Sequence, residues 1–174
     1  MSLERLLAGN ERFLRTMDHE LMEELSRGQA PYACVLTCSD SRVSPEHIFQ
    51  GDLGDLFVIR TAGNLAMDPT VLATIEYSVE HLGVPVVMVL GHTDCGAVKA
   101  AIDGTAGGQC AHLVSRIREM GMDGTEEALI KRNVIRQVDH ILAESPAIRC
   151  RKEAGETSVV GAVFHIFSGM VELL

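Results

Sequence analysis

VPVVMVL, residues 84–90, is the longest apolar run in the chain. Four of its residues are valine and no polar residue interrupts it, the pattern of a strand covered on both faces rather than on one. YACVLT (32–37) and LFVI (56–59) read the same way. Short buried runs of this kind belong to parallel sheets, whose strands need helical crossovers. One crossover is visible before residue 84. Asp68-Pro69 supplies a cap and a favoured first helical residue, and Val71, Leu72, Ile75, Val79 and Leu82 form an apolar stripe that ends at Gly83.

Outward from that centre, Leu3, Leu6, Leu7, Phe13, Leu14 and Met17 recur at helical spacing behind Ser2, which predicts an amphipathic helix with a Ser cap. A second short helix is expected over residues 19–27. After the glycine-rich stretch 104–108, a short helix is expected over 113–120 and a longer one over 126–144. Ile130, Val134, Ile135, Val138, Ile141 and Leu142 share a face of the longer helix, and Pro146 stops it. SVVGAVFH (158–165) reads as another strand, and Ser168-Gly169 turns it into a last short strand, 170–174. The expectation is an α/β fold, one domain spanning residues 1–174, with a central mostly parallel sheet flanked by helices and ligands at the carboxyl ends of its strands.

Composition narrows the function classes. A chain of 174 residues has room for one ordinary domain. With 47% hydrophobic residues, 22% charged residues, no Trp and a mean hydropathy of +0.16, it describes a globular protein with an aliphatic core. The run at 84–90 is about a third of the ~20 residues a membrane helix needs, and no basic start followed by an apolar stretch opens the chain. A cytoplasmic protein with no membrane partner is therefore expected. A net charge of −9 repels a phosphate backbone and argues against nucleic acid as a partner. Five cysteines is an odd count without the regular pairs of a secreted disulfide framework, so thiols are left free or bind metal.

Two motifs fall at the expected strand ends. Cys38-Ser39-Asp40-Ser41-Arg42 leaves the first strand, and Gly91-His92-Thr93-Asp94-Cys95-Gly96 leaves the third. If those strands are neighbours, Cys38, His92 and Cys95 converge as two thiolates and one imidazole, a donor set that suits Zn2+ and leaves a fourth position open. Spacing alone is weak, since a chain of this composition contains about 0.2 His-x-x-Cys pairs by chance. Placement at matched strand ends is what strengthens it. Asp40 and Arg42, two apart, leave the same face of an extended segment, where a bidentate pair keeps Asp40 ionised and aimed. A carboxylate oriented beside an open zinc can accept a hydrogen bond from bound water and hold the resulting hydroxide for attack. Cys34, inside an apolar strand, reads as a buried small hydrophobe; Cys110 and Cys150, in polar stretches, read as plain thiols. The remaining histidines, His19, His47, His81, His112, His140 and His165, read as surface or locally bonded side chains.

CSDSR, FVIRTAGN, IEYSVEHLGV and VLGHTDCGAV occur in the order and spacing of the β-class carbonic anhydrases, which this chain resembles from LLAGNERF near its start to VELL at its end. The resemblance implies zinc-dependent, reversible hydration of carbon dioxide to bicarbonate. Cys38, His92 and Cys95 would be the zinc ligands, and Asp40 and Arg42 the catalytic dyad. Gln29 would orient substrate, with Phe57, Tyr77 and Gly96 lining its pocket. It implies further that the aromatic residues reach in from a partner subunit, that the N-terminal helix packs on that partner, and that the protein is a homodimer or homotetramer. Some members close the site, with Asp40 as fourth zinc ligand and Arg42 left unpaired. Val35 stands where one subgroup has a Trp that helps hold regulatory bicarbonate, so inhibition through that site is not expected. Two thiolates donate more charge than two imidazoles, so activity is expected to climb through mildly alkaline pH. The competing readings are a hydrolase of carbonyl sulfide or carbon disulfide on the same scaffold, and a non-catalytic zinc-binding assembly protein.

Overall fold

The computed structural model describes residues 2–174. Five strands form one sheet in the order β2-β1-β3-β4-β5: β1 (Ala33–Cys38), β2 (Leu56–Thr61), β3 (Val86–His92), β4 (Ser158–Phe164) and β5 (Val171–Leu173). The first four are parallel, and β5 runs antiparallel to β4. β1 and β3, which carry the two motifs, are neighbours. β1 is buried along its whole length, as expected, whereas the edge strand β2 is only half-buried.

Strand ends differ from the hydropathy reading in an instructive way. Pro85 has no N–H for the ladder, so β3 starts after it. At the other end the apolar run stops at Leu90, yet pairing continues until His92 lies opposite Phe164. In β1 pairing likewise continues to Cys38, opposite Thr61. Both metal-motif residues are thus the last residues of strands and not loop residues.

The helices are α1 (Ser2–Thr16), α2 (His19–Leu25), α3 (Pro45–Ile48), α4 (Pro69–Glu80), α5 (Gly96–Asp103), α6 (Cys110–Arg118), α7 (Glu126–Glu144) and α8 (Pro146–Glu153), with a single 3-10 turn at Ala62–Asn64. Ser2 is the first helical residue of α1 rather than its cap. α2 is capped by the Asp18 carboxylate, which accepts from the Glu20 and Leu21 amides. α6 begins three residues before the expected start. Pro146 does not merely stop α7: behind Ser145, whose hydroxyl accepts from the Ile148 amide at 3.1 Å, it opens α8.

One sheet face buries Cys34, Leu36, Val87, Val89 and Val163 against Ile75 and Val79 of α4, Ile130, Val134 and Ile141 of α7, and Ile148 of α8. α7 lies very close to the sheet. A Cβ at Gly91 would come within 2.5 Å of Val134 Cγ2, and one at Gly161 within 2.8 Å of Val134 Cγ1. Gly91 directly precedes His92, so the close approach of the helix falls beside the strand end that carries the imidazole. The other face, with Val35, Leu90, Ala162 and Phe164, is covered by Val43, Ile48 and Phe49 around the four-residue α3 and by Ile166 and Val171. α1 buries no residue: Leu3, Leu6, Leu7 and Leu14 are each more than half exposed along one stripe.

Candidate metal centre

Cys38 and His92 end adjacent parallel strands, and Cys95 is the N-cap residue of α5. Their ligating atoms lie within 4.8 Å of one another, and all three residues are buried. A tetrahedral zinc with sulfur at ~2.3 Å and nitrogen at ~2.0 Å spaces such donors about 3.5–3.8 Å apart, which lies within that reach.

The donors are prepared by their surroundings. His92 Nδ1 lies 2.9 Å from the Thr93 carbonyl, which can only accept, so this nitrogen carries the proton and Nε2 presents a bare lone pair. Nε2 is fully buried and has no hydrogen-bond partner. A buried ring nitrogen without a partner is costly, and a cation beside two sulfurs satisfies it.

Cys38 is pulled down to about 4. The Cys95 thiol contributes most by donating to its sulfur; burial opposes the shift, and His92 and the amides of Gly63 and Asp40 assist it. The Gly63 amide stands 3.3 Å from Cys38 Sγ. Cys95 shifts upward, first because it holds the proton shared with Cys38 and then through burial. A divalent ion held by these residues would take the place of that shared proton, and its binding would release one. At His92 burial works downward, but the neighbouring Cys38 sulfur and the Thr93 carbonyl outweigh it and the net shift is upward.

Asp40 stands beside this group, with Oδ2 4.0 Å from His92 Nε2. Its pairing with Arg42 arises from a turn, not from the extended segment expected. The Val43 amide donates to the Asp40 carbonyl at 3.0 Å, and the Arg42 amide donates to Asp40 Oδ1 at 2.9 Å. This folds the guanidinium back, so that Nε donates to Oδ1 at 3.0 Å and Nη2 to Oδ2 at 2.8 Å. Arg42 above all holds the Asp40 carboxyl well below the usual carboxylate range. Asp40 is therefore engaged with Arg42, and the ligand group consists of Cys38, His92 and Cys95. Gly96, exposed at the start of α5, follows Cys95 directly.

The other expected pocket residues lie elsewhere. Phe57 pairs in register with Cys34, four residues before Cys38, which puts it about 13 Å from the metal group at a strand rise of ~3.3 Å per residue. Phe57 and Tyr77 rings sit together at 6.2 Å, and Gln29 and Tyr77 line an open recess of about 520 Å³. Gln29, Phe57 and Tyr77 therefore gather at the amino end of β1 and β2, while the metal group sits at the carboxyl end.

Several residues that build the site carried no assigned role in the sequence. Arg60 donates to the carbonyls of Cys38 at 3.2 Å and Asp40 at 2.6 Å, pinning the first loop. Gly63, at φ 74°, turns its amide toward Cys38 while its carbonyl accepts from Asn133 Nδ2 at 2.8 Å. Gln137 ties the same turn through the Ala66 amide at 2.9 Å. FVIRTAGN entered the sequence reading only as part of the family resemblance, and no sequence signal connected α7 to this turn.

Against known proteins, the carbonic anhydrase family model matches residues 33–171. Carbonic anhydrase 2 of Mycobacterium tuberculosis is 38% identical over 97% of this chain and 89% of that protein. The β-carbonic anhydrase CcaA superposes with a TM-score of 0.88 at 30% identity, covering 98% of this chain and 86% of that one. One of two tetrameric β-carbonic anhydrases from Sordaria macrospora superposes with a TM-score of 0.89 at 27% identity, covering 99% and 96%. No helix among the described residues is long and apolar enough to cross a membrane.

Proposed function

Since the chain belongs to the β-carbonic anhydrases, a family of lyases, we propose that it hydrates carbon dioxide reversibly at a zinc ion held by Cys38 Sγ, Cys95 Sγ and His92 Nε2. The observation that carries this reading is the buried, unpartnered Nε2 of His92 facing two cysteine sulfurs, with a pinned carboxylate 4.0 Å away. When bound, zinc supplies the Lewis acidity that makes water nucleophilic near neutral pH, a chemistry whose standard example is the three-histidine carbonic anhydrases themselves.

The chain's own groups do the rest. Asp40, kept ionised, can only accept hydrogen bonds, so it takes one from the attacking water and turns the oxygen lone pair toward the substrate carbon. Arg42 keeps that carboxylate from rotating away. As the new C–O bond forms, one C=O electron pair moves onto its oxygen; bicarbonate leaves, and buffer removes the proton. Gln29 and the Gly96 amide donate to substrate oxygens, and Phe57 and Tyr77 give the linear, uncharged molecule an apolar wall.

Gln29, Phe57 and Tyr77 serve the metal centre of a second copy. The roughly 13 Å that separates Phe57 from its own Cys38 supports this. So does α1, whose leucine stripe finds nothing to cover in its own chain. The working unit is therefore a homodimer or a pair of such dimers, and the tetrameric relatives fit that assembly.

The test is zinc analysis of the purified protein combined with stopped-flow carbon dioxide hydration read by a pH indicator. One zinc per chain with catalysis lost in Cys38→Ala is expected. Protein free of zinc, or hydration unaffected in Cys38→Ala, overturns the reading. Carbonyl sulfide run on the same preparation is expected to turn over more slowly.

A further inference from the structure

Arg42 is gripped from two sides. Beyond its two bonds to Asp40, Nη1 donates to Asp94 Oδ2 at 2.7 Å and Nη2 to the Asp94 carbonyl at 3.1 Å. The other carboxylate oxygen of Asp94, Oδ1, is held by Lys99 Nζ. Charges of alternating sign follow one another from Lys99 through Asp94 and Arg42 to Asp40, and the series ends 4.0 Å from His92 Nε2.

Asp94 has no simpler employment. It directly precedes α5, but that helix has no side-chain cap, and among the described residues no backbone N–H donates to the Asp94 carboxylate. Its backbone stands at φ 62°, a conformation that Asn and Gly also take readily. The turn thus accounts for a small polar residue here, not for a charge. The left-handed turn does direct both the carbonyl and Oδ2 of Asp94 at one guanidinium. Arg and Lys hold this carboxyl low, at about 2, with Lys99 contributing most.

A guanidinium paired to one carboxylate can swing about that pair, carrying the carboxylate with it. A second grip on the far edge of the plane stops this. Asp94 sits between His92, the last residue of β3, and Cys95, the N-cap of α5, so the grip also ties Asp40 to the turn that joins two of the three candidate metal ligands. We propose that Asp94 is a positioning residue for the hydration reaction, acting through Arg42 to fix the direction of the Asp40 carboxylate. This rests on the function proposed above.

Asp94→Asn keeps the side-chain size and suits the left-handed turn, but it removes the charge. The expected result is full zinc content, a kcat about ten-fold lower with KM little changed, and no further loss when Asp94→Asn is added to Arg42→Gln. A second readout needs no catalysis. Phenylglyoxal modification of Arg42, followed by peptide mass in zinc-free and zinc-loaded protein, should be several-fold faster in Asp94→Asn. Unchanged kcat and unchanged Arg42 reactivity overturn the proposal. So does loss of zinc in Asp94→Asn, or an equal loss of kcat on the Arg42→Gln background, since either assigns Asp94 to the metal loop and not to Arg42. Failure of the wild-type protein to hydrate carbon dioxide would overturn the proposed function, while the modification assay still decides whether Asp94 holds Arg42.

Discussion

Cys34 and Cys38 stand four residues apart on the same strand and point to the same side of the sheet, yet they are chemically opposite. Cys34 lies among Leu36, Ile75 and Val79 in the aliphatic core, where burial pushes its thiol up to about 11 against a weaker downward pull from Ser78. Cys38 is nearly as enclosed, at 5% exposure against none, but it is pulled down to about 4. Burial is common to both, so the difference lies in what the strand meets where it ends. Past Cys38 the sheet stops and the polar ends of its neighbours converge: the Cys95 thiol, the His92 imidazole and the Gly63 amide. A parallel sheet collects such groups along its carboxyl edge, and its middle offers only side chains that pack.

The largest expected effect comes from removing the carboxyl-end thiol. Cys38→Ala should lose its zinc and on the order of a thousand-fold or more in hydration rate. Metal analysis beside the rate assay checks both, and a zinc-loaded, active Cys38→Ala would erase the contrast between the two cysteines. Next, Asp40→Asn should keep its zinc and lose about a hundred-fold in kcat, because an amide that can also donate no longer fixes the direction of the water's hydrogen bond as an ionised carboxylate does. Loss of metal instead would turn Asp40 from a catalytic group into a structural one.

The amino end of the same strand gives a third test. Cys38→Ala and Gln29→Ala chains, unfolded together and refolded, pair at random, and each mixed dimer has one complete site. Activity should recover to about a quarter of wild type. Recovery no greater than the two parents' sum would mean that Gln29 does not serve a partner's centre.

The smallest effects belong to Cys34. Cys34→Ala should hydrate carbon dioxide at the wild-type rate and lose about 1 kcal/mol of stability, read by denaturant unfolding, for the small void it leaves. The pH dependence has a defined sign. Because the folded-state value is raised, the stability tied to the Cys34 proton is complete below 9.0 and is lost as pH rises from there toward about 11. The wild-type curve should therefore fall toward that of Cys34→Ala over this window, and parallel curves would contradict the assignment.

The fold's outline was legible because hydropathy reports burial. The runs at 32–37, 56–59 and 84–90 marked three strands, and the spacing around Ile75 and Val134 marked one crossover helix and one longer amphipathic helix. Hydropathy stops reporting where backbone pairing outlasts the apolar side chains, and so the apolar runs end at 37 and 90 while the strands carry on to Cys38 and His92. The Asp40–Arg42 pair was legible as a pair, but its geometry comes from a turn that local spacing does not reveal.

By itself, the order of residues determined which groups could do chemistry: two thiols, one imidazole and one carboxylate with an arginine, each just where an apolar run gives out. It also pointed to parallel strands for them, since short buried runs joined by helices favour that arrangement. Only the tertiary structure decided that β1 and β3 are neighbours, that Gly91 lets α7 press on His92's strand, and that Asn133 and Gln137 steady the Gly63 turn. It alone separated Gln29, Phe57 and Tyr77 from the metal group, and it alone brought Asp94 against Arg42. These are contacts between residues some 20 to 70 positions apart, set by packing and strand order, and packing is a property of the folded surface rather than of any local stretch of chain.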